Sequence, residues 1–177
     1  MNRIAIASLP FVFGLMAFTG PFPPPIAPAN DGKLLCMGPD TAQKICNALT
    51  RFARADDGVV WSHTFGLVEE DLHVTVRGSS PVEIKNGWVC DRVRPEHVHS
   101  FEFAIAPDAV GQAFDVTLYR NFTIAVARAM MHHDLCTVFV PGNTDITVKY
   151  MIDGEQSRLP DERAIWVSPE DGYRVAL

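Results

Sequence analysis

The stretch DTAQKICNALTRFARA, residues 40–55, decides the fold class. Asp40 stands where an N-cap belongs, and Gln43 follows three residues later, as in a capping box. Ala42, Ile45, Cys46, Leu49, Phe52 and Ala53 recur at helical spacing. Asp56-Asp57-Gly58 then supplies a stop. The pattern predicts an amphipathic helix over 41–55.

Downstream the apolar period changes to two. Trp61, Phe65 and Leu67 fall on one face of a strand, and Leu72, Val74 and Val76 alternate with His73, Thr75 and Arg77. Gly78-Ser79-Ser80-Pro81 reads as a turn before Val82 and Ile84. Asn86-Gly87 is a two-residue hairpin signal ahead of a strand from Trp88 to Val93. Phe101, Phe103 and Ile105 alternate with Ser100, Glu102 and Ala104. Each stretch describes a half-buried antiparallel strand. Trp61, Trp88 and Trp166 lie in such strands and read as core residues rather than a ligand platform. Residues 108–120 fit a helix or a strand equally. From Asn121 to His133, the spacing of Phe122, Ala125, Val126, Ala129 and Met130 predicts a second helix. Strands return at 135–140 and at Ile146, Val148 and Tyr150; after an Asp153-Gly154 turn they resume from Arg163 to Ser168 and from Tyr173 to Leu177.

Sliding the chain on itself so that Asn47 meets Asn121 brings other likenesses into line. Ala53-Arg54-Ala55 falls on Ala127-Arg128-Ala129, Asp71-Leu72-His73-Val74 on Asp145-Ile146-Thr147-Val148, and Val93-Arg94-Pro95-Glu96 on Val167-Ser168-Pro169-Glu170. Shared turns and strand phase favour a duplication over a coincidence of composition. The expected fold is therefore α+β: two helices packed on antiparallel sheet, as a tandem repeat of a helix-plus-meander unit. The units span about 41–105 and 115–177, within a single domain at 40–177. Each helix would cover the apolar face of a sheet that cannot bury it alone. A ligand or partner would then sit at the seam between the units.

The first residues read as an address for export. Arg3 supplies a positive charge and Ile4 to Gly20 carries none, the form of a secretory signal peptide. Pro10 interrupts the apolar run and Pro21, Pro23, Pro24 and Pro25 end it, so cleavage is favoured over a permanent span. Ala27-Pro28-Ala29 before Asn30 fits the small-x-small cleavage rule, giving a signal over 1–29 and a Pro/Gly-rich leader over 30–39. Ala17-Phe18-Thr19 before Gly20 is the alternative cut. The expected destination is the periplasm or the extracellular medium, with no membrane span left after cleavage.

Four cysteines, Cys36, Cys46, Cys90 and Cys136, agree with that destination, since an even count in an exported chain points to two disulfides. Three connectivities are open; Cys36–Cys46 with Cys90–Cys136 is favoured, the first closing a short loop back onto the predicted helix. The chain holds 15 Lys and Arg against 21 Asp and Glu, a net charge of −6. An acidic domain without a basic stripe argues against nucleic acid and against an anionic membrane surface.

Catalytic motifs are absent. No Gly-x-Ser-x-Gly elbow or glycine-rich phosphate loop occurs, and oxidised cysteines are not nucleophiles. Glu69-Glu70-Asp71 and Asp161-Glu162 read as solvated charge at turns and strand ends. Histidine alone clusters. His97 and His99 would share a strand face, and His132 and His133 would end a helix. Two from the strand with one from the helix end would make three zinc ligands and leave an open position, as catalytic zinc sites do. Placed apart, they are a strand edge and a helix C-terminus that favours cations. The sequence thus points to a non-catalytic binding or accessory protein with a protein or small-molecule partner. A metal-binding protein or metal-dependent hydrolase through those four histidines is the alternative.

Overall fold

A computed structural model describes residues 20–69, 74–92, 94–105 and 115–176. The strands are β1 (Leu34–Met37), β2 (Ile45–Cys46), β3 (Ala48–Arg54), β4 (Val60–Glu69), β5 (Val74–Lys85), β6 (Trp88–Asp91), β7 (Glu102–Ile105), β8 (Leu135–Pro141), β9 (Ile146–Ile152), β10 (Glu155–Gln156), β11 (Glu162–Val167) and β12 (Arg174–Val175). Among the described residues two α-helices interrupt them, α1 (Pro95–Val98) and α2 (Val116–Met130). Strands β1, β3, β4, β5, β6, β8, β9 and β11 follow one another around a ring, and β11 returns to pair with β1. Every pairing in the ring is antiparallel. The architecture is a closed, eight-stranded, up-and-down β-barrel, whose ring strands are each paired on both sides.

This overturns the α+β repeat. Residues 48–54, expected in a helix, form β3, hydrogen-bonded to β1 on one side and β4 on the other. The same letters fit both periods. Thr50 and Phe52 turn inward, 8% and 7% exposed, while Arg51 between them is exposed. Pairing on both flanks outweighs helix propensity, which is a weak prior. Asp40 does bind two backbone N–H groups as an N-cap would, those of Ala42 and Gln43 at 2.9 and 3.0 Å. The chain then doubles back instead of coiling. Asp40 and Ile45 exchange backbone hydrogen bonds of 2.9 and 3.1 Å, with Lys44 at φ 54°. The repeat register fails with it, because Ala53-Arg54 lies in β3 while Ala127–Ala129 lies in α2. The second helix is real and begins earlier, at Val116.

Alternation around the ring places Leu35, Phe52, Val82, Val89, Val148 and Ala164 in the interior. Arg51, Arg77, Lys85, Lys149 and Arg163 occupy the opposite parity and point outward. A membrane barrel shows the reverse, an apolar outer band around a polar lumen. Among the described residues no helix is long and apolar enough to cross a membrane.

One end of the barrel is closed by the segment before β1. Ile26 is fully buried there, against the interior cluster, with Phe22 and Ala29 packed beside it. Asn30 staples the plug: its Oδ1 accepts from the Phe22 N–H at 2.7 Å, and its Nδ2 donates to the Phe22 and Ala27 carbonyls at 3.0 and 2.9 Å. The Arg54 guanidinium lies 5.3 Å from the Phe22 ring centre. Residues 22–30 are thus part of the fold, and a cut after Ala29 would remove Ile26 from its core.

Two disulfides fasten the wall from outside, Cys36–Cys46 and Cys90–Cys136. Cys46 sits on β2 and not on a helix; with Leu34, Leu49, Ile165, Val167 and Tyr173 it builds a second apolar cluster, covered by the β2–β12 pair. Cys90 and Cys136 are register partners on β6 and β8. The bonds accord with an oxidising compartment.

Candidate functional site

An eight-stranded barrel is just wide enough either to be filled by its own side chains or to hold one small ligand. Large residues fill this one at the plugged end, where Phe52 and Trp166 meet at 6.1 Å between ring centres. Further along the interior the inward side chains become small: Thr50 on β3, Ser62 and Thr64 on β4, Gly78 and Ser80 on β5, and Thr137 on β8. A cavity of about 290 Å³ remains between them, its other walls being Leu35, Met37, Val76, Val89, Phe139 and Tyr150.

Phe101 completes the wall. Strand β5 is longer than its neighbour β6, and beyond Arg77 its free flank is paired by β7. The residue before β7 falls opposite Gly78, and a Cβ on Gly78 would stand only 2.7 Å from the Phe101 ring. Glycine is therefore the residue that lets this ring seat. Behind it Val98 of α1 and Ile124 and Ala127 of α2 form a separate apolar cluster. The Arg120 guanidinium donates to the Phe101 carbonyl at 3.2 Å.

The polar atoms of the cavity are organised. Thr50 and Thr64 share a hydrogen bond between hydroxyls at 2.8 Å. The Ser80 hydroxyl donates to Asp91 Oδ1 at 3.0 Å. With that proton committed, the Ser62 hydroxyl is left as the donor, its proton shared between Ser80 Oγ at 3.0 Å and the Ser80 carbonyl at 3.3 Å. Tyr150 donates to Glu162 Oε1 at 2.7 Å. Burial first, and then the Glu162 carboxylate, push the Tyr150 phenol further above its ordinary value, so it remains a donor.

Asp91 is the carboxylate among the cavity-lining residues. It is inward on β6, opposite Val82, and lines the cavity. Burial raises its carboxyl above the usual carboxylate range, and the Ser80 hydrogen bond opposes the rise without cancelling it. Among the described residues no lysine, arginine or histidine pairs with it. Charged groups line a cleft on its other flank, and each is engaged elsewhere: Arg92 with Glu83, Arg94 with Glu96, Asp134 with Lys85, and His133 with Asp153.

A raised folded-state pKa has a defined sign. The native state favours the protonated carboxyl, so the stabilisation is fully present below the unfolded value and is lost as pH rises through the folded one. Asp91→Asn fixes a neutral group of the same shape. It is expected to leave stability unchanged in acid and to raise it above the folded pKa, where the wild type would carry a charge. Thermal melts of both proteins across the acid-to-neutral range check this; a variant that melts lower at every pH would show Asp91 to be a structural group.

The four histidines do not gather. His97 belongs to α1, where its Nδ1 accepts from the Arg94 N–H at 3.1 Å and its ring stands edge-on to Trp61 at 6.0 Å. His99 caps the same short helix and is exposed, so the expected shared strand face of His97 and His99 is absent. His132 is exposed beyond α2, and His133 Nδ1 is bonded to Asp153 Oδ2 at 2.6 Å. Among the described residues no group of three or more His, Cys, Asp or Glu side chains is placed to hold a metal ion. Glu70, Asp71 and residues 106–114 lie outside the described residues, as does the export signal up to residue 19.

Sequence reading passed over Asp91 and the hydroxyls. The available signal was on β4, where Ser62, Thr64 and Gly66 alternate with Trp61, Phe65 and Leu67. Hydrophobicity assigns the aromatic face to the core, yet the register turns the small face inward. Comparison with known protein families, curated proteins and solved structures finds no match.

Proposed function

We propose that this protein binds a small molecule inside its barrel and works without catalysing a reaction, in an oxidising compartment outside the cytoplasm. The unfilled interior carries this reading. Protein cores pack to the density of organic crystals and keep few voids larger than a water molecule. Here about 290 Å³ is left open, where one water's share of liquid volume is only about 30 Å³. The walls are mainly apolar with a few convergent polar groups, the usual make-up of a small-ligand site. The site lies within one closed barrel and not at a seam between repeats.

Export fits the two disulfides, and the buried plug moves the expected cut to the bond between Thr19 and Gly20, the alternative that keeps Ile26. The reading is tested with 1-naphthalenemethanol, a neutral probe whose fused rings match the cavity. An apolar cavity of about 150 Å³ holds benzene, so this one has room for a second ring. Calorimetric titration is expected to give one site per chain in the wild type. Thr137→Phe fills the cavity from β8 without breaking a described hydrogen bond, and is expected to weaken binding at least ~10-fold, about 1.4 kcal/mol, while the melt stays cooperative. Equal binding by the variant would place the probe elsewhere.

A further inference from the structure

We propose that the ligand is a cation, a primary or secondary amine on a compact apolar body, with its ammonium held by Asp91. This rests on the reading of the barrel interior as a ligand site and names the class of ligand for it.

The observations are geometric. Asp91 is set into the wall of an otherwise apolar and hydroxylic cavity. One oxygen, Oδ1, is occupied by the Ser80 hydroxyl, and among the described residues nothing donates to Oδ2. Asp91 is half-buried, and a carboxylate withdrawn from most of its water with no cation beside it is costly. Structural carboxylates avoid this by pairing, as Asp134 does with Lys85 on the outer surface at 3.4 Å. Among the described residues Asp91 has no such partner. The Ser62–Ser80 relay donates toward the carboxylate, which orients it as an acceptor. An ammonium entering the cavity would supply the missing charge and a hydrogen bond to the open oxygen, and charge-assisted bonds of this kind are among the strong ones. The Thr50–Thr64 hydroxyl pair and Tyr150 would face the rest of the molecule. The net charge of −6 also draws cations toward the protein and repels anions.

Volume limits the ligand. A cavity near 290 Å³ suits two fused rings with a short arm.

The experiment compares two probes of one shape, 1-naphthylmethylamine and 1-naphthalenemethanol, by calorimetry on the full mature chain. It is run near pH 7.5, where an alkyl amine with a pKa of roughly 9–10 is charged. The amine is expected to bind at least ~10-fold more tightly than the alcohol to the wild type. Asp91→Asn is expected to erase that preference by weakening the amine, with the alcohol's affinity changed less than about threefold. The wild-type comparison stands without the variant, so a folding failure would not rescue the idea. Equal affinity of the two probes for the wild type, or a preference that survives in Asp91→Asn, overturns the cation assignment and leaves the ligand site standing. Failure of both probes to bind the wild type removes the site itself.

Discussion

Ile26→Ala is expected to destabilise the protein by about 3–4 kcal/mol, and Ile26→Asp by more. Ile26 is fully buried among Leu35, Phe52, Val82 and Val148, although it lies in a Pro-rich segment before the first strand. Truncation there leaves a void where four strands converge, and the barrel end cannot collapse onto it because the closed ring fixes its own diameter. A carboxylate at that position would be unpaired in an apolar cluster. Urea unfolding monitored by tryptophan fluorescence measures the effect, since Trp166 packs against the same cluster. The same contact predicts the processed N-terminus: intact mass of secreted material should begin at Gly20. A chain beginning at Asn30 with unchanged stability would show the plug to be dispensable.

The second large effect concerns Cys90–Cys136. Replacing both by Ala is expected to cost about 4 kcal/mol, against about 3 for Cys36–Cys46, in the chain-entropy account of cross-links. The ordering follows from loop size, with separations of 46 and 10 residues respectively. The larger loop contains α1, β7 and α2, the elements that carry Phe101 to the cavity. Its bond joins β6 to β8 at the register pair flanked by Val89–Thr137 and Asp91–Leu135. Loss of the bridge therefore loosens the wall that presents Asp91 and Thr137, and probe affinity should fall along with stability. Losing Cys36–Cys46 should lower stability and change binding less, because that bond ties β1 to β2, which is not a strand of the ring, whereas Cys90–Cys136 joins two ring strands. Denaturation and calorimetry of the two double variants separate these effects.

Strand content was legible in the sequence wherever period-two alternation ran alongside a turn signal. Asn86-Gly87 does turn the β5–β6 hairpin, with Asn86 at φ 53° and Gly87 at φ 79°, and Asp153-Gly154 does the same after β9. The stretch 40–55 misled because its apolar residues satisfy two periods at once, and only the neighbours β1 and β4 choose between them. No local rule carries that choice. Barrel closure was equally hidden, being a long-range pairing of β1 with β11 between residues 34–37 and 164–167. Gly78-Ser79-Ser80-Pro81 looked like a turn and is the middle of β5; its glycine serves Phe101 and its Ser80 serves Asp91. The site was missed for a related reason. A ligand cavity puts small polar residues where a core would put large apolar ones, so a hydrophobic reading assigns them to the surface. The histidines attracted attention through adjacency in sequence, which a barrel with outward loops does not convert into adjacency in space.

The most direct measurement is a two-dimensional NMR titration of the mature protein with 1-naphthalenemethanol. Binding inside the barrel predicts saturable shifts at the amides of Thr50, Thr64, Val76, Val89 and Thr137, on five different strands. The outer face of α2, where Phe122 and Val126 are exposed, should stay unchanged. Shifts confined to that helix face, with the inward strand positions silent, would contradict an interior ligand site.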